Sequence, residues 1–386
     1  MPDRQQNTVN PATGAVPPVR LLHLRQAAGG GGGADTVICQ LLRRLDRQRF
    51  AAVVAYLFKR GESIAPIAEL LTEADIELIE LPGGRLLDPL QLYRLQQLLR
   101  RRRIEILHCH DPKADVYGAL LRLFNPRLKL VSTLHTWHLQ SWRSRVYIAL
   151  DFLALRFFHK RIAVSEDTRR QALAGGLREV VLMLNGVDTE FWSPNPRPER
   201  RPGAPVTIGF VGRLSREKGV RDLVRIARQV LERYPDSEFL LAGEGPERQP
   251  AEQLAEELGV AERVRFLGLL SKAELHAFYQ GLDVLLMPSY SEGVPITMLE
   301  AMAMGVPVVA TRAGGIGEVL TDGETALLTP VGDFDALARR LVTLIEDPAR
   351  AAELSRRARE LVLTRYAMTE RVRQLERLYL ELLGGR

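Results

Sequence analysis

Glu292 and Glu300 stand with seven residues between them in SYSEGVPITMLEAMAMGVPVVATRAGGIGEV, Ser289 to Val319. Two carboxylates at that spacing can grip the hydroxyl groups of one polar ligand, provided a helix begins between them. Pro295 suits the first helical position, where its missing N–H costs nothing. Glu292 then lies in the loop before the helix, and Glu300 lies about a turn and a half inside, roughly 7–8 Å along the axis. Side chains lean back toward a helix N-terminus, so both acids can reach a ligand seated there. Met298, Leu299, Ala301, Met302, Ala303 and Met304 surround Glu300 with apolar residues on nearly every face. A helix of that kind is buried, and a buried carboxylate needs a partner. Two readings follow. Glu300 is a core residue satisfied by a backbone N–H or an arginine, or the two acids hold a hydroxyl-rich ligand.

Cations of matching chemistry stand upstream. GFVGRLSREKGV, Gly209 to Val220, runs from an apolar strand into Gly212, Arg213 and Lys218 before a helix. Two cations beside a strand-to-helix junction make an anion site, for which a diphosphate is the natural guest. Ordinary surface cations are the competing reading. The spacing is not that of a Walker loop, and Gly29–Gly33 lacks the G-x-G-x-x-G pattern of a dinucleotide-dependent dehydrogenase. Gly243 to Pro246 form a turn that admits close backbone approach. Val264–Leu270 is a further strand end, whose backbone can edge-bond a nucleobase. Asp333-Phe334-Asp335 resembles a metal-binding Asp-x-Asp pair, but it precedes a helical run, so an N-cap is the better reading. His108 and His110 in HCHD are read as cleft or structural residues, and no metal is expected.

Short β-branched runs alternate with helical stretches, the pattern of parallel α/β sheets. Seven strands are predicted in the first half: Val19–Leu24, Ala52–Phe58, Glu77–Leu81, Ile104–His108, Lys129–Leu134, Arg161–Val164 and Val180–Leu184. Six follow in the second: Thr207–Val211, Glu238–Ala242, Val264–Leu267, Val284–Pro288, Pro307–Ala310 and Ala326–Thr329. The stretch SPNPRPERRPGAP between them is a linker by composition. The expected division is a disordered tail over 1–18, a first doubly wound domain over 19–195, a linker over 196–205, a second domain over 206–366 and a last helix over 367–386. Two Rossmann-like domains facing across a cleft are the expected architecture.

Charge and composition narrow the function. Of 386 residues, 46% are hydrophobic and 26% charged, and the cysteines number two, which implies no disulfide framework. No secretory leader and no run long enough to span a bilayer is evident, so a cytoplasmic protein is expected. Residues 1–200 carry 29 Lys and Arg against 20 Asp and Glu, while the remainder is slightly acidic. A basic half can meet an anionic substrate or membrane surface. Arg100–Arg103 reads as a helix end, and no nucleic-acid module is present. Thr136–Arg161 mixes aromatics, Leu and Arg. It reads as a helix packed on the sheet or as one lying on an anionic membrane.

Taken in order, GRLSREKG (Gly212–Gly219), GEGP (Gly243–Pro246), FLG (Phe266–Gly268), SEGVPITMLEAMAMGVPVVAT and Gly314-Gly315 resemble the family-4 retaining glycosyltransferases with the GT-B fold. QAAGGGGGADTVICQLL, HCHDPKADVYGALL, STLHTWH, AVSED and NGVDTEFWSP are similar more loosely, with Asp35 where the family has Glu, so the likeness covers about residues 19–380. The resemblance implies that Arg213 and Lys218 neutralise a donor diphosphate and that Glu300 binds ribose hydroxyls. Glu292 would contact the donor sugar, aided by backbone N–H groups of Gly293, Val294, Pro295 and Ile296; proline, which has no N–H, can contribute only its position. Gly212 and Gly243 would line the donor, Phe266 and Leu267 would lie by the base, and Gly32 and Gly33 would lie near the transferred sugar and acceptor. His135 would face the reaction centre, with His138 as a competing neighbour.

The implied activity is transfer of a hexosyl group from a UDP- or GDP-linked sugar to a glycan, lipid-linked or small-molecule acceptor, without a metal or other cofactor. The residues fit that chemistry: the leaving diphosphate gains charge that fixed cations stabilise, and the sugar takes on oxocarbenium character. No residue is an evident nucleophile, and the resemblance implies front-face attack, with the departing phosphate taking the acceptor proton. The rival readings are a GT-B-like nucleotide-sugar epimerase and a non-catalytic nucleotide-sugar-binding partner. The second would be expected to lack Glu292, Lys218 or Arg213.

Overall fold

A computed structural model describes residues 17–27, 33–84, 87–135, 142–196 and 205–384. Most of the expected tail and linker, together with Gly32 and His138, lies outside the described residues. The chain divides into two compact units. The first takes the residues up to Val164, Thr168–Met183 and those from Arg371 onward; the second takes Ser165–Asp167 and Leu184–Glu370.

The first unit is built on strands β1 (Val19–Gln26), β2 (Phe50–Lys59), β3 (Leu78–Gly83), β4 (Ile106–Cys109), β5 (Lys129–Leu134), β6 (Lys160–Ala163) and β7 (Val180–Leu182). They pair in parallel in the order β3-β2-β1-β4-β5-β6-β7. Helices cover both faces of such a sheet, so its strands run apolar without alternation; all four residues of β4 are buried. The order reverses beside β1, so the crevice outside the carboxyl ends of β1 and β4 is the topological switch point.

The second unit contains β8 (Thr207–Val211), β9 (Glu238–Ala242), β10 (Val264–Gly268), β11 (Val284–Met287), β12 (Val308–Thr311) and β13 (Leu327–Thr329), in the parallel order β10-β9-β8-β11-β12-β13. Its switch point lies between β8 and β11. The helix Val220–Arg233 shows how the layers close: Val220, Leu223, Val224, Ala227, Val230 and Leu231 recur at helical spacing and are all buried.

Every strand expected from the sequence is present, with ends displaced by no more than two residues. The division between units falls at Met183/Leu184, ahead of the boundary at 195 that composition suggests. The residues before the Pro-rich run are tied into the second unit. Val187 N–H donates to Tyr366 C=O at 2.8 Å, Asn185 Nδ2 donates to Val294 C=O at 3.2 Å, and the buried Trp192 packs edge-on to Tyr279. Among the described helices none is long and apolar enough to cross a membrane.

Candidate functional site

The residues singled out in the second unit gather at its switch point. β8 delivers Gly212 and the exposed Arg213, and β11 delivers Ser289. Between them the turn Arg216–Lys218 closes on Gly219 at φ 68°, where a Cβ would meet the Pro288 carbonyl oxygen at 2.1 Å. Only glycine lets this turn settle against the end of β11. Lys218 is thereby brought to Glu292, its Nζ lying 2.7 and 2.6 Å from the two carboxylate oxygens. Ser289 Oγ donates to Glu292 Oε1 at 2.7 Å. Glu292 is 8% exposed, so its charge is met by one ammonium and one hydroxyl in a nearly dry setting.

The loop holding Glu292 is supported from behind. Gly315 N–H donates to the Glu292 carbonyl at 3.1 Å, and Thr311 Oγ1 donates to the Ser289 carbonyl. Gly314, at φ 47°, presses its backbone so close that a Cβ would lie 2.1 Å from the Glu292 carbonyl oxygen. The Gly-Gly pair and the glutamate loop are thus one packed object.

Glu300 sits in the helix Ile296–Ala303 and is 4% exposed. Its partner is neither a backbone N–H nor an arginine: Tyr279 OH lies 3.1 Å from Glu300 Oε2 and equally close to the Thr297 carbonyl. Burial pushes the Glu300 carboxyl up to about 8, with the Tyr279 hydrogen bond and Lys272 opposing. Pro295 occupies the N-cap with ψ 128°, one residue before the helix, because its extended ψ turns the chain in from the loop. No side chain caps this helix start. Its first N–H groups are therefore available to an anionic or hydroxyl-bearing ligand.

The remaining residues expected on the donor side lie along the neighbouring strand ends. Gly243 N–H donates to the Gly268 carbonyl at 2.7 Å, and Leu267 falls at a break in the β9–β10 register. Phe266 rests against the apolar core, so this strand end offers a ligand its backbone rather than that ring. Asp333 caps the helix Phe334–Glu346 by accepting from Ala336 N–H at 3.0 Å, the role its spacing suggests.

In the first unit the switch point carries histidines. His23, His108 and His110 are buried, and His108 is held on both sides, Nδ1 to Tyr379 OH at 2.6 Å and Nε2 to Thr133 Oγ1 at 2.8 Å. Tyr379 OH is also 3.2 Å from His23 Nε2, and His23 Nδ1 is 2.9 Å from His110 Nε2. Ligand atoms of the three histidines lie within 4.8 Å of one another, a spacing that can hold a metal ion, although hydrogen bonds already occupy both nitrogens of His108 and of His23. Burial keeps all three well below the ordinary histidine range, hence neutral.

His135 follows β5. It is half-buried with Nε2 enclosed and without a hydrogen-bond partner. Burial first, then the guanidinium groups of Arg25 and Arg371, pushes it down to about 3. Gly33 opens the helix Gly33–Arg44, whose Asp35 accepts from Tyr56 OH at 2.6 Å and lies 2.6 Å from Arg25 Nε. No motif or spacing marks Tyr279, Tyr379 or Arg371. Ser289, three residues before Glu292, is the one partner that spacing alone could have found.

Comparison with known proteins fits this geometry. Residues 31–191 match the model described as Glycosyltransferase Family 4, and residues 194–361 match that described as Glycosyl transferases group 1. The phosphatidyl-myo-inositol mannosyltransferase of Mycolicibacterium smegmatis is 32% identical over 287 residues, which is 73% of this chain and 72% of that protein. The glycogen synthase of Mycobacterium tuberculosis is 29% identical over 270 residues, 67% of this chain but 64% of that protein, so less than two thirds of its length is spanned. Among solved structures, Anabaena HepE in complex with UDP-glucose is similar with a TM-score of 0.80 at 24% identity, covering 94% of this chain and 99% of that one. Sucrose-phosphate synthase from Thermosynechococcus elongatus is similar with a TM-score of 0.79 at 21% identity, covering 95% and 100%. These likenesses carry the fold, two parallel-sheet α/β domains of the GT-B class. With both halves matched by their family models and a relative at this identity spanned over most of its length, the chain belongs to glycosyltransferase family 4.

Proposed function

We propose that the chain is a retaining hexosyltransferase that uses a nucleotide-diphosphate sugar and needs no metal. The observation that carries this reading is the Lys218–Glu292 pair beside an uncapped helix start, with Glu300 buried one and a half turns further on. In the ligand-free chain the two charges satisfy each other. An arriving diphosphate competes for Lys218 and is joined by Arg213, and Glu292 is released to accept hydrogen bonds from the sugar. Glu300, with Tyr279 behind it, accepts from the ribose hydroxyls. The acceptor hydroxyl oxygen then forms its bond to the anomeric carbon as the carbon–phosphate oxygen bond breaks. The acceptor proton passes to the departing phosphate oxygen, and the nucleoside diphosphate leaves. Arg213 and Lys218 stabilise the charge that grows on it.

The solved structure of HepE with UDP-glucose makes uridine nucleotides the first donors to test. The acceptor is read as a glycan, a lipid-linked molecule or a small polyol, with the work done in the cytoplasm. Tyr147, Leu150, Leu153 and Phe157 stand 45–54% exposed along and just after one helix, which supports peripheral attachment to an anionic membrane. Flotation with vesicles of anionic phospholipid tests that attachment, and failure to float at low salt removes it. The main reading is tested by thermal shift of the full chain against UDP- and GDP-linked sugars in the presence of EDTA. Stabilisation by at least one donor is expected. A chain stabilised by none of them has no donor site, and the proposal falls.

A further inference from the structure

We propose that the first unit holds an oxyanion site of its own at its sheet's switch point, with Arg371 as the anchor and His135 beside it, and that its ligand is a phosphate group. Arg371 is 4% exposed, yet its Nε and Nη1 have no hydrogen-bond partner. Among the described residues it has no carboxylate partner either. A buried guanidinium left in that state is costly, and burial only lowers it to about 9, so it stays charged at neutral pH.

Among the described residues no neighbour supplies the missing negative charge. Of the carboxylates near Arg25, Asp35 is engaged by Arg25 and Tyr56, and Asp111 accepts from the backbone N–H groups of Gln26 and Ala114. Tyr379 is held as the neutral phenol by burial, its ionisation pushed well above the ordinary tyrosine range. His23, His108 and His110 are neutral. His135 lies close enough to both Arg25 and Arg371 to feel their charge, and its enclosed Nε2 is also without a partner. Two unmatched polar side chains of one unit therefore share a neighbourhood, and among the described residues no carboxylate pairs with either of them. A planar guanidinium with free N–H groups, flanked by an imidazole nitrogen able to donate, suits a phosphate. The carboxyl ends of strands at a switch point are where sheets of this kind take ligands.

The second unit has its own cations for a donor diphosphate, so this site is free to read a phosphate on the acceptor; that identification rests on the transferase reading, whereas the phosphate site itself does not. The test uses the full chain carrying Lys218→Ala, which removes one of the two donor-side cations. Inorganic phosphate is expected to raise its unfolding temperature, and adding Arg371→Met is expected to abolish the shift, with Arg371→Lys intermediate. Met fills the same space without charge, so the unliganded Arg371→Met chain should unfold no earlier than its parent. A phosphate response that survives Arg371→Met overturns the site, as does its absence from the Lys218→Ala chain. The source is then distinguished with otherwise wild-type chains and a polyol acceptor offered with and without a phosphate ester. Arg371→Met should raise KM for the phosphorylated acceptor at least tenfold and leave the other unchanged; equal loss on both overturns the acceptor assignment. Absence of turnover with every acceptor counts against the transferase reading and leaves the phosphate titration to stand by itself.

Discussion

Lys218 and Glu292, 74 residues apart in sequence, are each other's charge partner: one ammonium faces both oxygens of one carboxylate. Each therefore acts on a ligand only by leaving the other, and their substitutions should not add. Lys218→Ala and Glu292→Ala should each lower turnover by about 10²–10³-fold, and the double variant should cost little more than the worse single one. Affinity for UDP separates the two. Lys218→Ala should weaken it, while Glu292→Ala frees the lysine and should leave it equal or tighter. Calorimetric titration of UDP into both variants checks this, and weakening by both refutes the exchange.

Glu300 makes stability depend on pH. Its carboxyl is raised in the folded chain from 4.5 to about 8, so the folded state holds a proton that the unfolded state has lost between those values. The stabilising contribution is full below the unfolded value and disappears as pH rises through about 8. Unfolding temperature should accordingly decline on that side, and Glu300→Gln should flatten the slope. A ribose diol donating to Glu300 favours the ionised form, so nucleotide binding at neutral pH should release a proton from the parent chain and not from Glu300→Gln. Titration in buffers of different ionisation enthalpy measures that proton directly.

Burial, with Arg25 and Arg371, pushes the His135 imidazole down to about 3, which favours its neutral form at working pH. His135→Ala should lower turnover by about 10²-fold, within the range of a positioned hydrogen-bonding group. UDP affinity should not change. Loss of UDP binding in this variant would place His135 in the donor site instead.

The three clustered histidines bear on metal independence. Turnover in EDTA is expected to match turnover without it, because Tyr379 and Thr133 already bind both nitrogens of His108. Activity lost to the chelator and restored by added zinc would make the cluster a metal site instead.

Gly314 is the tightest support of the glutamate loop. Alanine there adopts an unfavourable φ and strikes the Glu292 carbonyl. Gly314→Ala should destabilise the chain by about 1–3 kcal/mol and reduce turnover with it. Chemical denaturation gives the first quantity and initial rates the second.

What the sequence disclosed was local. Strands such as Thr207–Val211 and Glu238–Ala242 are read to the residue, because a parallel strand covered on both faces is an unbroken apolar run. Arg213, Lys218 and Glu292 were visible as charges beside glycines and a helix start. What stayed hidden was who meets whom. Tyr279 reaches Glu300 across 21 residues, and Tyr379 reaches His108 across 271, distances over which spacing carries no signal. The reading of Glu300 as held by an arginine or a backbone N–H failed for the same reason: a phenol from a neighbouring helix took that place. Arg371 reads from its surroundings, TERVRQLERLYL, as one more charge on a polar helix, and only packing shows it to be buried.

The residues from Arg371 onward belong to the first unit, and Tyr379 closes the hydrogen bonds of its histidines. Synthesis therefore runs against the usual order in which the leading domain matures first. Residues 184–370 are all made while the earlier unit still lacks a phenol and a guanidinium for its interior. Until residue 379 leaves the ribosome, four buried aromatic rings cannot reach their resting arrangement, so the half that is begun first is the half that is finished last.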